Sequence, residues 1–370
     1  MNESKIEQGS ANSDNEQAMV AKFERMGIKN VVSVFRVENE KSLDGKEIKA
    51  EIFWVKFKKP EGQEFSDLSE VEGKIYLPVE PSGELILFTP GFPGGNAGRF
   101  EQLYAEDFTD AGYAFFTVRH NGTSLTNGAT SLEILNSAKR MEIAQKQGEH
   151  HIGGTRPEGY SPFDIINESI TPLMALQNKY EKIHLMGQSM GVAASYNAIR
   201  RTQGHPEVQN KIGNVVGISG YVGKEHEGAT WDTMNMPMAD LTEYEYGYVK
   251  KVDANIVPKE QFQAEMAKVA EANKALKIPG HIGNVLVYTP KDPLVAGPDK
   301  SKKDYALNYG PVSAKKIIIE DETNLADKKP HSMLWISPEN LLRAVKAKVS
   351  SHGPHFVKVP RAKDGLIERG

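Results

Sequence analysis

The sequence predicts an α/β fold, in which a mostly parallel β-sheet is flanked by helices. From Glu84 onward short apolar runs recur, and the segments between them are long enough to hold helices. Uniformly apolar strands are typical of a parallel sheet buried on both faces. Before Glu84, three β-like stretches follow one another without a helix, which predicts an antiparallel leading edge. The apolar runs are ELILFTP, YAFFTV, KIHLMG, NVVGISG, NVLVYTP and KKIIIE, and the leading stretches are 29–37, 49–58 and 73–77.

Helices are predicted between these strands at 99–111, 163–180, 190–203 and 338–348. Ser337 followed by Pro338 is a helix start signal for the last of them. Pro172, inside the second, indicates either a kink or a later helix start.

The domain organisation follows from two long connections and two polar ends. Residues 122–162 and 221–282 exceed the usual loop length. The second segment is rich in Met and Tyr and contains a helix with Phe262, Met266 and Val269 on one face, so we interpret it as a cap, although both segments could simply cover the surface. The predicted core is therefore 21–220 and 283–350, between a disordered tail at 1–20 and a C-terminal tail at 351–370.

Composition excludes several classes of function. The 370 residues contain no cysteine, which rules out disulfides, thiolate zinc sites and thiol catalysis. A formal net charge of -4 gives no attraction to nucleic acid. We expect no membrane span, because no apolar run approaches about 20 residues, and a cytoplasmic protein, because the N-terminus lacks the pattern of a signal peptide.

The motif that carries chemistry is Gly187-Gln188-Ser189-Met190-Gly191, a match to G-x-S-x-G. It directly follows the predicted strand KIHLM and opens a segment of small residues, VAASYNAI, which allows close packing of a helix on the sheet. A serine hydroxyl needs a base to become nucleophilic, and the two glycines relieve crowding around it. Ser189 is the predicted nucleophile. The alternative is a glycine-rich turn with an incidental serine.

An oxyanion hole is predicted from the loop TPGFPGGN, which follows the strand ELILF. Backbone N–H groups at such a position stabilise the negative charge that develops on a carbonyl oxygen. We expect the donors to be the N–H groups of Phe92 and Met190, since Pro93 has none. The same glycines and prolines could also form only a wide turn.

The acid and the base are expected after the serine, in that order. Asp292 follows the strand NVLVY, where a carboxylate points into the crevice at the end of the sheet. His331 follows the strand KKIIIE and precedes the last helix. Asp321, just beyond that strand, is the alternative acid.

The other histidines that we weighed are expected to have no acid–base role. His184 lies within a strand and is interpreted as core, while His120 ends a strand and is expected to line the pocket. His150 and His151 are adjacent and would face different directions in a helix. His352 and His355 are close enough to suggest a metal site, but no acidic or thiol ligand lies beside them, so we expect a role in a terminal loop.

Taken together, these motifs resemble the α/β-hydrolase superfamily over residues 73–350. The resemblance rests on PGFPGG, RHNGTS, GQSMG, KDPLV and KPHSM in this order. It departs from many relatives at Pro90-Gly91, where they have His-Gly. The resemblance implies an eight-stranded sheet, no metal or organic cofactor, and acyl-enzyme chemistry. The Met and Tyr content of the predicted cap favours an ester substrate with a hydrophobic acyl or alcohol group.

Three rival functions remain open at this point. A peptidase of the prolyl-oligopeptidase-like group shares the triad order, but only about 80 residues precede the oxyanion strand here, which leaves little room for a β-propeller. Thioesterases, lipases and lactone hydrolases use the same triad. A non-catalytic binding protein with this fold is the alternative from another class.

Overall fold

The computed structural model describes residues 16–38, 40–42, 45–61, 70–91, 97–120, 161–220, 257–288, 317–320, 336–348 and 355–358. Its ten strands form one sheet in the order β1-β2-β3-β5-β4-β6-β7-β8-β9-β10. The strands are β1 Val31–Val37, β2 Ala50–Lys58, β3 Glu70–Pro78, β4 Glu84–Thr89, β5 Ala114–Arg119, β6 Lys182–Gln188, β7 Ile212–Ile218, β8 Gly283–Tyr288, β9 Ile317–Glu320 and β10 His355–Lys358.

The strand directions agree with the sequence prediction. β1, β2 and β3 are antiparallel to one another, and β3 is antiparallel to β5. All neighbours from β5 to β10 run parallel. The predicted mostly parallel sheet with an antiparallel leading edge is therefore confirmed. It has ten strands in the described residues where eight were expected, and its edge strands are β1 and β10.

Eight helical segments cover the two faces of the sheet in the described residues. Residues 16–25 form α1. The others are α2 Ala97–Asp110, α3 Pro162–Asn167, α4 Ile170–Leu176, α5 Met190–Arg201, α6 Pro206–Gln209, α7 Lys259–Ala275 and α8 Pro338–Lys346.

Alternate residues of the central strands feed two separate cores. In β4, Leu85 and Leu87 pack with residues of α4 and α5, whereas Ile86 and Phe88 pack with residues of α2 and α8. Successive side chains of a strand point to opposite faces, so a strand with both faces covered must be apolar at every position. This is why the sequence shows continuous apolar runs.

The second predicted helix is divided in two. α3 is capped by the Ser161 side chain, which accepts a hydrogen bond from the N–H of Phe163. Pro172 lies in the first turn of α4, where its missing N–H costs no helical hydrogen bond. The later helix start is therefore the correct alternative.

The last helix begins as predicted. The Ser337 side chain accepts a hydrogen bond from the N–H of Asn340, and Pro338 is the first helical residue. Near the other end, the Asn214 side chain on β7 lies within hydrogen-bond distance of the carbonyl oxygens of Ala344, Val345 and Ala347. These contacts fix α8 against the sheet.

Three segments differ from the assignment that the sequence predicts. Within the predicted cap 221–282, α7 buries Phe262 and Met266, and its Val269 packs with Ala193 and Ala194 of α5. That part of the segment belongs to the helical layer of the core, while residues 221–256 lie outside the described residues. Strand β10 falls within the predicted C-terminal tail, and residues 16–20 of the predicted N-terminal tail are helical.

Candidate active site

The candidate site is the turn between β6 and α5, which holds Ser189. Its backbone has φ 49° and ψ -119°, a conformation that non-glycine residues rarely adopt. The N–H of Ser189 donates to the carbonyl of Ile218 on β7 at 3.0 Å, and its carbonyl accepts from the N–H of Val192 at 3.1 Å. Both bonds hold the strained conformation in place. Backbone strain of this kind concentrates at functional sites.

Ser189 is partly exposed, although both of its neighbours are buried. Met190 is the first residue of α5, so its N–H has no acceptor within the helix and is turned toward the helix start. The partial positive charge of a helix N-terminus favours an anion at this place. The turn thus presents a serine hydroxyl beside a potential oxyanion donor.

Two glycines of the motif permit this turn through close backbone contacts. A Cβ atom on Gly187 would lie 2.2 Å from the carbonyl oxygen of Gly191. A Cβ on Gly191 would lie 2.0 Å from the carbonyl oxygen of Thr89 on β4. No side chain fits at either place, which confirms that the motif glycines relieve crowding.

The end of β4 meets the turn between β6 and α5 at Gly91. A Cβ atom on Gly91 would lie 2.9 Å from the Cβ of Ser189, so the two residues are direct neighbours. The N–H of Gly91 donates to the Gln188 side-chain oxygen at 3.4 Å. The predicted oxyanion loop therefore begins beside the predicted nucleophile.

A strand, a serine at a strained turn and a tightly packed helix occur here at the carboxyl edge of a mostly parallel sheet, which is the arrangement of a nucleophile elbow. The chain has the fold of an α/β-hydrolase. The serine at its strand-to-helix turn is Ser189.

Comparisons with known proteins give only distant similarities. No protein-family model and no curated protein match the sequence. Among solved structures, Candida antarctica lipase A is similar over 91% of this chain and 88% of its own, with 12% identity and a TM-score of 0.46. A bacterial heroin esterase is similar over 73% of this chain and 74% of its own, with 13% identity and a TM-score of 0.41. The esterase domain of a Rhodothermus marinus protein is similar over 73% of this chain and 87% of its own, with 18% identity and a TM-score of 0.37. Scores at this level assign neither activity nor substrate.

A buried His–Glu pair lies on the other side of the Pro90–Gly91 peptide. His120 is fully buried one residue after β5, and its Nε2 lies 2.8 Å from the carbonyl oxygen of Pro90. Its Nδ1 lies 2.5 Å from the Glu168 carboxylate. Both ring nitrogens are thus engaged. His120 contacts the start of the predicted oxyanion loop and has no ring nitrogen to spare for the Ser189 hydroxyl.

The residue before His120 belongs to a buried ionic cluster that holds α2. Arg119 Nη2 lies 2.6 Å from Glu101 of α2, and Lys74 Nζ lies 2.9 Å from Glu101 and 3.0 Å from Glu40. The side chains of Lys74 and Arg119 each lie 4.9 Å from the ring centre of Trp54. Burial raises the pKa of Glu101, but the charges of Arg119 and Lys74 outweigh it and hold that pKa below its usual value.

Two of the five predicted site residues lie in the part of the chain that the structure describes. Ser189 and Met190 lie at the turn between β6 and α5. Phe92, Asp292 and His331 lie outside the described residues, as do Asp321, His150, His151 and His352, so their roles stay predictions.

His184 is a core residue, as expected. Its Nδ1 accepts from the N–H of Asn214, so its Nε2 carries the proton toward Glu84 at 3.1 Å. Among the described residues, no group of three or more His, Cys, Asp or Glu is arranged to hold a metal ion. The described helices likewise include none that is long and apolar enough to cross a bilayer.

Glu168 and Gln188 were not among the predicted site residues. Glu168 stands within the apolar sequence IINESITPLM, and a carboxylate that is buried among apolar residues needs a partner. That composition is the signal that could have identified it. Gln188 occupies a variable position of the G-x-S-x-G motif, and its contact with Gly91 depends on the neighbouring strand, so nothing local in the sequence indicates it.

Proposed function

We propose that this protein is a serine hydrolase that cleaves a carboxylic ester through an acyl-enzyme intermediate. The observation that carries the proposal is the geometry of Ser189, which is held at positive φ and partly exposed between buried neighbours at the start of α5. Backbone strain of this kind concentrates at functional sites, and a nucleophile needs its hydroxyl clear of the sheet, as the partial exposure of Ser189 allows.

In the proposed acylation step, His331 accepts the hydroxyl proton of Ser189 as the oxygen attacks the ester carbonyl. Asp292 orients His331 and stabilises the imidazolium that forms. The N–H groups of Met190 and Phe92 stabilise the oxyanion of the tetrahedral intermediate. The intermediate then collapses, the ester C–O bond breaks, and His331 protonates the departing alcohol.

Deacylation repeats these steps with water as the nucleophile. His331 takes a proton from water as its oxygen attacks the acyl carbon, and the proton then returns to the Ser189 oxygen when the acid leaves. The reaction consumes one water per ester and needs no organic cofactor or metal.

Strand order supports the choice of Asp292 and His331. β6, β7, β8 and β9 are successive parallel neighbours, so their carboxyl ends share one edge of the sheet. Asp292 comes four residues after the end of β8, and His331 comes after β9 and before α8. Residues that follow parallel strands in this way can converge on the elbow at the end of β6.

We propose a hydrophobic acyl or alcohol group in the substrate, recognised by residues of the Met- and Tyr-rich segment 221–256. Thioether and aromatic side chains form adaptable apolar surfaces. Within this proposal the protein is cytoplasmic, and it binds no nucleic acid because its formal net charge of -4 gives no attraction to a polyanion.

The test is a panel of p-nitrophenyl esters of rising acyl length, assayed beside aminoacyl anilides and an acyl thioester. We expect ester hydrolysis that rises with chain length and is lost in Ser189→Ala. Ser195→Ala is the matched control, because Ser195 lies on the same helix with its hydroxyl donating to the Gly191 carbonyl. Preferred cleavage of anilides or thioesters would contradict the ester assignment. Hydrolysis that persists in Ser189→Ala would contradict the nucleophile.

A further inference from the structure

The peptide group between Pro90 and Gly91 is held at both of its polar ends. Its carbonyl oxygen lies 2.8 Å from His120 Nε2, and its N–H donates to the Gln188 side chain at 3.4 Å. Its two partners are 68 residues apart in the sequence and belong to different strand ends, since His120 follows β5 and Gln188 ends β6. A peptide plane with both ends bound cannot rotate without breaking a buried hydrogen bond.

The contact between His120 and Glu168 fixes the ring that holds this carbonyl. Both ring nitrogens face oxygen atoms, and because a carbonyl oxygen can only accept, the Nε2–H donates to Pro90 while Nδ1 pairs with the Glu168 carboxylate. Glu168 precedes α4 and is 1% exposed, and His120 is 0% exposed. In a site that excludes water, such charge-assisted hydrogen bonds are stronger than neutral ones.

The Pro90–Gly91 peptide lies beside the predicted nucleophile. Gly91 contacts Ser189, and the residue after Gly91 is Phe92, the predicted oxyanion donor. A rotation of the Pro90–Gly91 plane would move the start of the predicted oxyanion loop relative to Ser189.

We propose that His120 and Glu168 are positioning residues, which hold the Pro90–Gly91 peptide against Ser189 and thereby fix the start of the predicted oxyanion loop. This inference rests on the proposed function, because it assigns a purpose to the loop beside the nucleophile. His120 does no acid–base work on the substrate. It acts through the backbone carbonyl of Pro90.

The test compares His120→Leu, which removes both ring hydrogen bonds, with His120→Gln, whose amide can still donate to the Pro90 carbonyl. His184→Leu is the matched control. His184 is also a buried histidine bonded to a glutamate, but it lies five residues before Ser189 on β6 and contacts Glu84 and Asn214. Loss of either histidine should lower the melting temperature, so stability alone does not separate the variants.

The first readout is the rate at which a fluorophosphonate probe labels Ser189, together with the affinity of an alkylboronic acid. Both form tetrahedral adducts that use the oxyanion donors. A displaced donor should lower the labelling rate of His120→Leu about a hundredfold, with partial recovery in His120→Gln. KM for a p-nitrophenyl ester should stay within about threefold in these variants, because the ground state does not use the donors.

The second readout does not depend on activity. Hydrogen exchange at the Gly91 amide should be faster in His120→Leu and in Glu168→Leu than in the wild type, and unchanged in His184→Leu. Unchanged exchange in His120→Leu overturns the inference, as does an equal loss of labelling rate in His184→Leu. If the wild-type protein is not labelled at all, the proposed function fails, while exchange at Gly91 still decides whether His120 holds the peptide.

Discussion

Replacing Gly191 by alanine tests how tightly the elbow is packed. The new Cβ would lie 2.0 Å from the Thr89 carbonyl oxygen and 2.8 Å from that of Pro90. Both atoms are backbone at the end of β4, which is paired with β5 and β6 and cannot swing aside as a side chain could. Ordinary contact at 3.4 Å requires a shift of about 1.4 Å between β4 and α5.

This shift sets the expected magnitudes. Overpacking of a core by one methyl group costs about 1 to 3 kcal/mol of unfolding free energy. The displacement also separates Ser189 and Met190 from the oxyanion loop, and a misplacement of about 1 Å can reduce the rate about a hundredfold. We therefore expect Gly191→Ala to be destabilised and to react with a fluorophosphonate about a hundredfold more slowly.

The assays are urea unfolding and the second-order rate of fluorophosphonate labelling. Gly204→Ala is the control, because a Cβ there would meet no atom within 4 Å. It should label at the wild-type rate and unfold at the same or a higher urea concentration. If Gly191→Ala matches Gly204→Ala in both measurements, the close approach of α5 to β4 is wrong.

Three further predictions concern the packing around the sheet. In Gly213→Ala, the new Cβ would lie 2.8 Å from the His184 ring and would displace this side chain, which Glu84 and Asn214 hold. We expect the free energy of urea unfolding to fall by about 1 to 3 kcal/mol, and an unchanged unfolding midpoint would refute this prediction. In Asn214→Ala, the carbonyl oxygens at the end of α8 lose their buried hydrogen-bond donor. We expect the free energy of unfolding to fall by about 1 to 3 kcal/mol in the same assay. An unchanged value would mean that water replaces the amide and would contradict this prediction. In Glu101→Gln, the buried cations Lys74 and Arg119 lose their shared carboxylate, so the free energy of unfolding should fall by about 3 kcal/mol at neutral pH. The control is Glu51→Gln, which breaks an exposed ion pair with Lys22 and should lower the free energy of unfolding by under about 1 kcal/mol. Because the folded pKa of Glu101 is held below its usual value of 4.5, its stabilising effect is present above that value and is lost as the pH falls through the folded pKa. Unfolding free energy measured against pH should therefore fall less steeply on the acid side in Glu101→Gln, and identical acid limbs would contradict the ionic cluster.

The strands and the elbow could be predicted from sequence because their signals are local. A buried parallel strand is apolar at every position. The glycines of GQSMG stand where neighbouring backbone leaves no room for a Cβ atom, from α5 at Gly187 and from the end of β4 at Gly191. β10 could not be predicted in the same way. Its four residues HFVK are too short for a periodic pattern, and they pair with β9 only through the tertiary fold.

The polar contacts inside the protein were the least predictable part. Lys74 stands in a strand where a lysine normally marks an exposed face, yet its side chain is fully buried between Glu40 and Glu101. His120 and Glu168 are 48 residues apart. Such pairs form only when the fold brings separate elements together, so residue type alone does not reveal them.

The place of α7 in the fold could not be predicted from its sequence pattern. Phe262, Met266 and Val269 share one face, as predicted, but an amphipathic helix looks the same whether it covers a substrate pocket or packs on a core. Its contacts with α5 and α3 show the second case for 259–275.

The most direct test of the central claim is covalent labelling followed by peptide mapping. Native protein is treated with a fluorophosphonate, and the mass of the intact chain and of its peptides is measured. A single adduct on Ser189, absent from Ser189→Ala and present in Ser195→Ala, is the result that a nucleophile at this elbow predicts. An adduct on another residue, or none while control serine hydrolases are labelled, would contradict it.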